Sequence, residues 1–251
     1  MKLTLEIWRQ ESRTAAGRFE TYEVSDATPE MTLVELLDRL NDQLVAEGGD
    51  PVAFESDCRE GICGTCGMDV DGKPHGPQDN TASCEQHVRS FSDGQRVRLE
   101  PFRSAAFPVI RDLIVDRSAL DRVIQAGGHV AVDAGTAPDA DVMPVTFENA
   151  EKALDFAACI GCGACVSACP NGAAYLFTGA KLTHLALLPL ASQQRGARAR
   201  AMVEEADAHF GPCSNYGECA TVCPAGIPLS AIGAVNKERM RAGLKRQLFP
   251  K

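Results

Sequence analysis

Hydrophobic and polar residues alternate with a period of two at the start of the chain. Leu3, Leu5 and Ile7 are separated by Thr4 and Glu6, and residues 19–24 form a second candidate strand. Alternation of this kind predicts strands that bury one face. Gly17 lies between the two segments at the position of a turn, so the sequence predicts an N-terminal hairpin.

A helix is predicted next. Thr32 and Glu35 have the spacing of a capping box, and leucines then recur at helical intervals until a pair of glycines at positions 48 and 49. Further on, residues 68–72 predict a short hairpin and residues 97–100 a closing strand. The first hundred residues therefore predict a small sheet with one helix.

Beyond Pro101 the apolar residues follow a helical period instead. One amphipathic helical segment is predicted over residues 109–124, ending at the glycine pair that follows, and residues 133–144 predict an extended loop. Four more helices are predicted over residues 148–157, 182–188, 197–208 and 229–241. The second part of the chain is thus predicted to be helical.

Eleven cysteines change this picture, because their spacings are those of iron-sulfur ligands. Cys58, Cys63 and Cys66, followed later by Cys84, have the plant-type spacing that holds a 2Fe-2S cluster. Glycines stand between and beside these ligands, where the backbone must wrap closely and aim N–H groups at sulfur. We predict a 2Fe-2S cluster in the first domain.

The other seven cysteines form a duplicated motif that has lost one member. The copies read Cys159-x2-Cys162-x2-Cys165-x3-Cys169-Pro170 and Cys213-x2-Tyr216-x2-Cys219-x3-Cys223-Pro224. The first copy has the spacing of bacterial two-cluster ferredoxins, in which the last cysteine of a copy binds the cluster of the other copy.

This crossover divides the thiolates unequally. The predicted ligands of a 4Fe-4S cluster are Cys159, Cys162, Cys165 and Cys223. Three remain for the second site: Cys169, Cys213 and Cys219. Tyr216 stands at the position of the missing thiolate, and a phenol is a poor substitute for sulfur on iron, so we predict a 3Fe-4S cluster there.

Two other uses of the cysteines are disfavoured. Disulfides are disfavoured because the number of cysteines is odd. The first seven residues also have the alternation of a strand and not the apolar run of an export signal, and exported proteins are where disulfides are common. Structural zinc is the stronger alternative, but a closed four-ligand site explains neither the trailing Cys-Pro nor three such groups. None of the five histidines is expected to be a ligand.

Composition, apolar length and the lack of a nucleotide-binding motif disfavour three classes of function. The chain has 251 residues, is 45% hydrophobic and carries a net charge of −9, which argues against a nucleic-acid-binding surface. Its most apolar stretch, residues 182–191, contains Pro189 and falls short of the ~20 residues that a membrane-spanning helix needs. No Gly-x-Gly-x-x-Gly fingerprint is present, so no dinucleotide site and no catalytic residue is assigned.

Taken together, these motifs resemble the iron-sulfur subunit of succinate dehydrogenase or fumarate reductase, respiratory complex II. The resemblance rests on residues 58–64 (CREGICG), on residues 107–113 (FPVIRDL) and on both copies of the later motif. It implies an α+β chain, with a β-grasp plant-type ferredoxin domain over residues 1–104 and an all-α helical ferredoxin domain over residues 105–251.

The resemblance also implies partners and a path. A separate FAD-containing flavoprotein subunit would oxidise succinate in the tricarboxylic acid cycle. Single electrons would then pass through the 2Fe-2S, 4Fe-4S and 3Fe-4S clusters to a quinone at a membrane-anchor subunit. The implied location is the cytoplasmic face of the cell membrane, peripheral through the integral anchor, with no transmembrane segment in this chain.

The expected quinone site is where the chain departs most from this family. Ala174 replaces a familiar aromatic residue, Ser214 a frequent histidine, and Tyr216 the usual aliphatic residue, whereas Pro170 matches. We expect Pro170, Ser214 and Tyr216 near the quinone. An anchor of another class, one that serves menaquinone, is compatible with these replacements.

Other functions remain open on the residues alone. A fumarate reductase would use the same clusters in the opposite direction. A soluble multi-cluster carrier, or an adaptor of another flavin enzyme of the glycolate or heterodisulfide type, would carry similar motifs. Co-purification with a flavoprotein and an anchor distinguishes the complex II subunit from a free carrier.

Overall fold

The computed structural model describes residues 1–129, 145–189 and 192–248. Its first part is a five-stranded sheet with one helix packed on it. The strands are β1 (Leu3–Arg9), β2 (Arg18–Val24), β3 (Asp69–Val70), β4 (Lys73–Pro74) and β5 (Arg96–Glu100). They lie in the order β2-β1-β5-β3-β4, with β1 parallel to β5 and the other neighbours antiparallel.

The predicted N-terminal hairpin and helix are confirmed. Leu3, Leu5 and Ile7 are buried on one face of β1, as the alternation requires. Helix α1 (Leu33–Ala46) begins at a complete capping box, in which Thr32 and Glu35 each accept a backbone N–H of the other residue. Its leucine face covers the sheet and closes the first hydrophobic core.

The predicted helix over residues 109–124 is wrong in its first half. Residues there form a hairpin of β6 (Val109–Arg111) and β7 (Ile114–Val115), and only α2 (Ser118–Val123) is α-helical, followed by a π-helical turn over Ile124–Gly128. Asp112 is the cause, because its φ of 45° is incompatible with a right-handed helix. Its carboxylate is fixed in that turn by the backbone N–H groups of Gln10 and Ala53.

The rest of the described chain is helical, as predicted. It comprises α3 (Phe147–Ala157), α4 (Ala164–Ser167), α5 (Tyr175–Leu187), α6 (Ser192–His209), α7 (Glu218–Thr221) and α8 (Ser230–Leu248). All four predicted helices are longer than expected, α3 by a single residue at its start, and α4 and α7 were not predicted. The loop predicted over residues 133–144 lies outside the described residues.

A second hydrophobic core joins these helices to the segment that leaves the sheet. Phe102 and Phe107 are buried in it together with residues of α5, α6 and α8. The predicted domain boundary at residues 104 and 105 falls in this segment and stays a prediction. None of the described helices is both long and apolar enough to cross a membrane.

Candidate iron-sulfur cluster sites

The loop between α1 and β3 brings its cysteines around inward-pointing backbone N–H groups. The N–H groups of Ile62 and Cys63 donate to Cys58 Sγ at 3.5 and 3.3 Å, and that of Gly61 donates to Cys84 Sγ at 3.3 Å. Left-handed backbone at Gly61 (φ 68°) makes this wrapping possible. Hydrogen bonds of this kind stabilise thiolate sulfur and tune a bound cluster.

The four cysteines of this site, three in the loop and Cys84 in a later turn after β4, differ in exposure. Cys66 and Cys84 are buried, Cys58 is half-buried and Cys63 is exposed. Burial acts to raise the pKa of Cys63, but hydrogen bonds from Thr65 and Cys58 outweigh it and lower the pKa to about 7. A thiol of this kind deprotonates readily and is a ready metal ligand.

His75 lies in the protein interior beside this loop. Its Nδ1 accepts the Ser83 backbone N–H at 3.1 Å, and burial lowers the pKa of its ring to about 4. The ring packs edge-on against Phe102. His75 is therefore a neutral core histidine at neutral pH.

The two copies of the later motif adopt the same backbone conformation. Three pairs of equivalent positions share a left-handed backbone: Gly161 (φ 67°) with Asn215 (56°), Gly163 (91°) with Gly217 (92°), and Gly172 (61°) with Gly226 (62°). Gly163 and Gly217 each precede a one-turn helix, α4 and α7. The duplication in sequence is thus a duplication in structure, and Tyr216 occupies the structural position of Cys162.

The crossover of the last cysteines is visible in the cavities. One cavity is lined by Cys159, Cys162 and Cys165 of the first copy and by Cys223 of the second. Its remaining lining is apolar and includes Phe177. The structure therefore brings together the four residues predicted from spacing as one ligand set.

A second cavity holds the other set. Cys169 of the first copy and Cys213 and Cys219 of the second line it. Tyr216 also borders this cavity. Tyr216 is 62% exposed, however, whereas Cys162 at the equivalent position of the first copy is 7% exposed. The second cavity has three cysteines where the first has four.

Burial keeps these cysteine thiols protonated when no metal is bound. Burial raises the pKa of Cys162 to about 12, and it raises the pKa of Cys165 well above its ordinary value. A bound metal reverses this by deprotonating a coordinating thiol. Converging soft sulfur donors in a cavity with an apolar lining fit an iron-sulfur cluster.

The residues expected near a quinone lie around the second cavity. Pro170, Ser214 and Tyr216 all border it. The side chain of Asn171 donates from Nδ2 to Ser214 Oγ at 2.8 Å and so ties the two copies of the motif together.

A buried tyrosine also borders the second cavity. The hydroxyl of Tyr175 donates to Asp207 Oδ1 at 2.8 Å and accepts from Arg239 at 2.7 Å. This network links α5, α6 and α8 beside the cysteines.

Several residues near the cavities were missed by sequence reasoning. Lys181 Nζ donates to the carbonyl of Cys159 at 3.0 Å, and Ser167 donates to Asp69 of the sheet at 3.2 Å. Arg117 contacts both cysteine loops. Their partners are distant in sequence, so no local spacing signals them.

Comparison with known proteins agrees with this geometry. Family models for a 2Fe-2S iron-sulfur cluster binding domain and for a 4Fe-4S dicluster domain match residues 4–122 and 158–227. The chain is 31% identical to the fumarate reductase iron-sulfur subunit of Mycobacterium tuberculosis, covering 94% of this chain and 92% of that protein. It is 29% identical to the succinate dehydrogenase iron-sulfur subunit of Bacillus subtilis, covering 92% and 90%.

A solved structure shares the fold over nearly the whole length. The match is to a chain of the Mycobacterium smegmatis Sdh1 complex in the apo form, with a TM-score of 0.71, 22% identity, and coverage of 99% of this chain and 98% of that chain. The resemblance noted in the motifs is confirmed, as is the α+β fold class. The chain belongs to the family of iron-sulfur subunits of succinate dehydrogenase and fumarate reductase.

Proposed function

We propose that this chain carries single electrons through three iron-sulfur clusters in a membrane-bound complex II. Family membership supports an electron-transfer role. The observation that carries the proposal is the pair of cavities, each lined by cysteines from both copies of the motif. Two cavities beside each other, together with the loop in the first domain, suit a chain of centres better than a single site.

The proposed ligands follow from these positions. The first-domain site holds 2Fe-2S through Cys58, Cys63 and Cys66 of the loop and Cys84 of the turn after β4. The first cavity holds 4Fe-4S through Cys159, Cys162, Cys165 and Cys223. The second holds 3Fe-4S through Cys169, Cys213 and Cys219.

The incomplete second set supports a 3Fe-4S cluster. The backbone around Tyr216 is that of a cysteine ligand, since Gly217 repeats the φ of Gly163 within the same short motif. The exposed tyrosine replaces the fourth thiolate and supplies no soft donor. A cubane lacking one iron needs three thiolates, which is the number that this cavity offers.

The proposed partners are those of the family. An FAD-containing flavoprotein oxidises succinate or reduces fumarate, and an integral anchor holds the complex at the cytoplasmic face of the membrane, where Pro170, Ser214 and Tyr216 lie close to the quinone. Succinate oxidation in the tricarboxylic acid cycle is our leading assignment. Menaquinone is the quinone class we favour, on account of the replaced aromatic and histidine residues.

Affinity purification of the tagged full-length chain from its own membranes tests this function. We expect it to retain a flavoprotein and an integral membrane subunit, and the purified assembly to reduce a quinone in the presence of succinate. Fumarate-dependent oxidation of a quinol, measured on the same sample, separates the two directions. Recovery of a cluster-loaded chain without partners would instead support the soluble carrier.

A further inference from the structure

The loop that carries Cys63 and Cys66 contacts the loop that carries Cys159 and Cys162. Gly64 lies between Cys63 and Cys66, and a Cβ at this position would come within 2.5 Å of the Ile160 carbonyl oxygen and 3.0 Å of the Cys162 nitrogen. The first distance is shorter than a real Cβ contact permits, and the second is at the tight end of such contacts. The absence of a side chain at Gly64 therefore lets the two loops approach to backbone contact.

Arg117 spans this contact. Its Nη1 donates to the carbonyl of Gly64 in one loop and to the carbonyl of Cys162 in the other, at 3.2 Å for the latter. Its Nη2 lies 3.4 Å from a carboxylate oxygen of Glu55, and its side chain is 19% exposed. A planar guanidinium presents several donors in a rigid fork, so one side chain can hold two loops in fixed relation.

The junction has a second, separate attachment. Ser167 and the Arg103 backbone N–H both donate to Asp69, a buried residue of β3. Phe102 adds apolar contacts from the second core. Loss of Arg117 should therefore leave the two halves of the protein joined.

We propose that Arg117 is a positioning residue that fixes the distance between the first two clusters of the relay. The inference rests on the proposed function. A single electron moves between these centres, so one is oxidised by one electron while the other is reduced by one, and no bond or proton changes. The rate of such a step depends steeply on the separation, which the Arg117 contacts and the bare backbone of Gly64 keep short.

The test compares Arg117→Met, Arg117→Lys and the control Arg122→Met in the assembled complex. Arg122 lies on α2, whose N-cap residue is Arg117, and pairs with Glu205 and not with Gly64 or Cys162. Two quantities are measured: the magnetic coupling between the reduced 2Fe-2S and 4Fe-4S signals by EPR, and the rate of electron transfer between them by freeze-quench EPR. The coupling depends on distance and not on redox potential.

We expect Arg117→Met to weaken the coupling and slow the transfer severalfold, and Arg122→Met to match the unaltered protein. Arg117→Lys should fall between them, because a single ammonium can bond the two carbonyls but lacks the second nitrogen that faces Glu55 and orients the guanidinium. Unchanged coupling and rate in Arg117→Met, with both clusters present, would overturn the inference. Absence of the clusters from the unaltered protein would instead overturn the proposed function.

A pair of glycine variants tests the same contact without altering Arg117. Gly64→Ala and Gly72→Ala both place a side chain on left-handed backbone, so both carry the same kind of strain. The new Cβ meets the second-domain loop only at Gly64, since at Gly72, in the turn between β3 and β4, no atom lies within 4 Å of it. Gly64→Ala alone should weaken the coupling, and equal coupling in the two variants would count against the proposal.

Discussion

At the scale of single residues, Tyr216 and Cys162 show how one substitution distinguishes two otherwise equivalent sites. Both precede a glycine with φ near 90° that begins a one-turn helix. Their side chains differ in placement, since Cys162 is buried in its cavity and Tyr216 is mostly exposed at the border of the other. The backbone is therefore already that of a four-cysteine site.

Tyr216→Cys should convert the second cluster to 4Fe-4S. The new thiol stands where the first copy has a ligand, so a fourth iron gains its donor. Iron analysis should rise by one atom per chain, and the oxidised 3Fe-4S EPR signal should disappear. Tyr216→Phe is the matched control and should keep that signal. Retention of the 3Fe-4S signal in Tyr216→Cys would show that the loop, and not the missing thiolate, sets the cluster type.

Asp69 should make the junction between the two cores sensitive to pH. Burial raises the pKa of this carboxyl to about 6, against an unfolded value near 3.9, so the folded protein binds the proton more tightly. Protonated Asp69 therefore adds to the free energy of unfolding at low pH. This contribution is lost as the pH rises from about 4, the unfolded pKa, through about 6, the folded pKa.

Relative to Asp69→Asn, the unaltered protein should lose about 1 kcal/mol of unfolding free energy between about pH 5 and about pH 7.5. Chemical denaturation followed by far-UV circular dichroism measures the difference at each pH. An equal response of the two proteins to pH would contradict the raised pKa.

At the scale of elements, sequence patterns predicted the regular segments and failed where a side chain imposed a turn. The capping box at Thr32 and the alternation in β1 are local signals, and both elements are present. The stripe over residues 109–115 had helical spacing, yet Asp112 turns the chain there because it binds residues far away in sequence. Helices α4 and α7 were missed because four residues are too few to show a period.

Asp112→Asn should destabilise the first domain. The amide keeps the tolerance for left-handed backbone but loses the charge that faces Arg9, at 3.4 Å, and the N–H groups of Gln10 and Ala53. We expect a loss of about 1–3 kcal/mol in the free energy of unfolding, measured by chemical denaturation. Asp42→Asn, an exposed change on α1, is the control and should be nearly neutral. Equal stability of the two variants would mean that the turn does not depend on Asp112.

At the scale of the whole molecule, the spacing of cysteines predicted which of them the fold brings together. The crossover between copies placed Cys223 with the first set and Cys169 with the second, and the cavities have those linings. Arg117 could not be predicted in this way, because Gly64 and Cys162 lie 53 and 45 residues from it. Contacts of that range depend on how the two halves pack.

Cys223→Ser and Cys169→Ser test the crossover. We expect Cys223→Ser to lose the 4Fe-4S signal and keep 3Fe-4S, and Cys169→Ser to do the reverse, because each cysteine serves the cavity of the other copy. EPR of the oxidised variants detects the 3Fe-4S cluster, and EPR of the reduced variants detects the 4Fe-4S cluster. Loss of the 3Fe-4S signal in Cys223→Ser, with 4Fe-4S intact, would mean that each copy binds its own cluster.

The central claim is a relay of three different centres, and EPR of the intact complex during stepwise reduction tests it most directly. The oxidised protein should show one 3Fe-4S signal, and reduction should add a 2Fe-2S and a 4Fe-4S signal, all from the same chain. Intact protein that lacks the oxidised 3Fe-4S signal, or that shows two 4Fe-4S signals, would contradict the account.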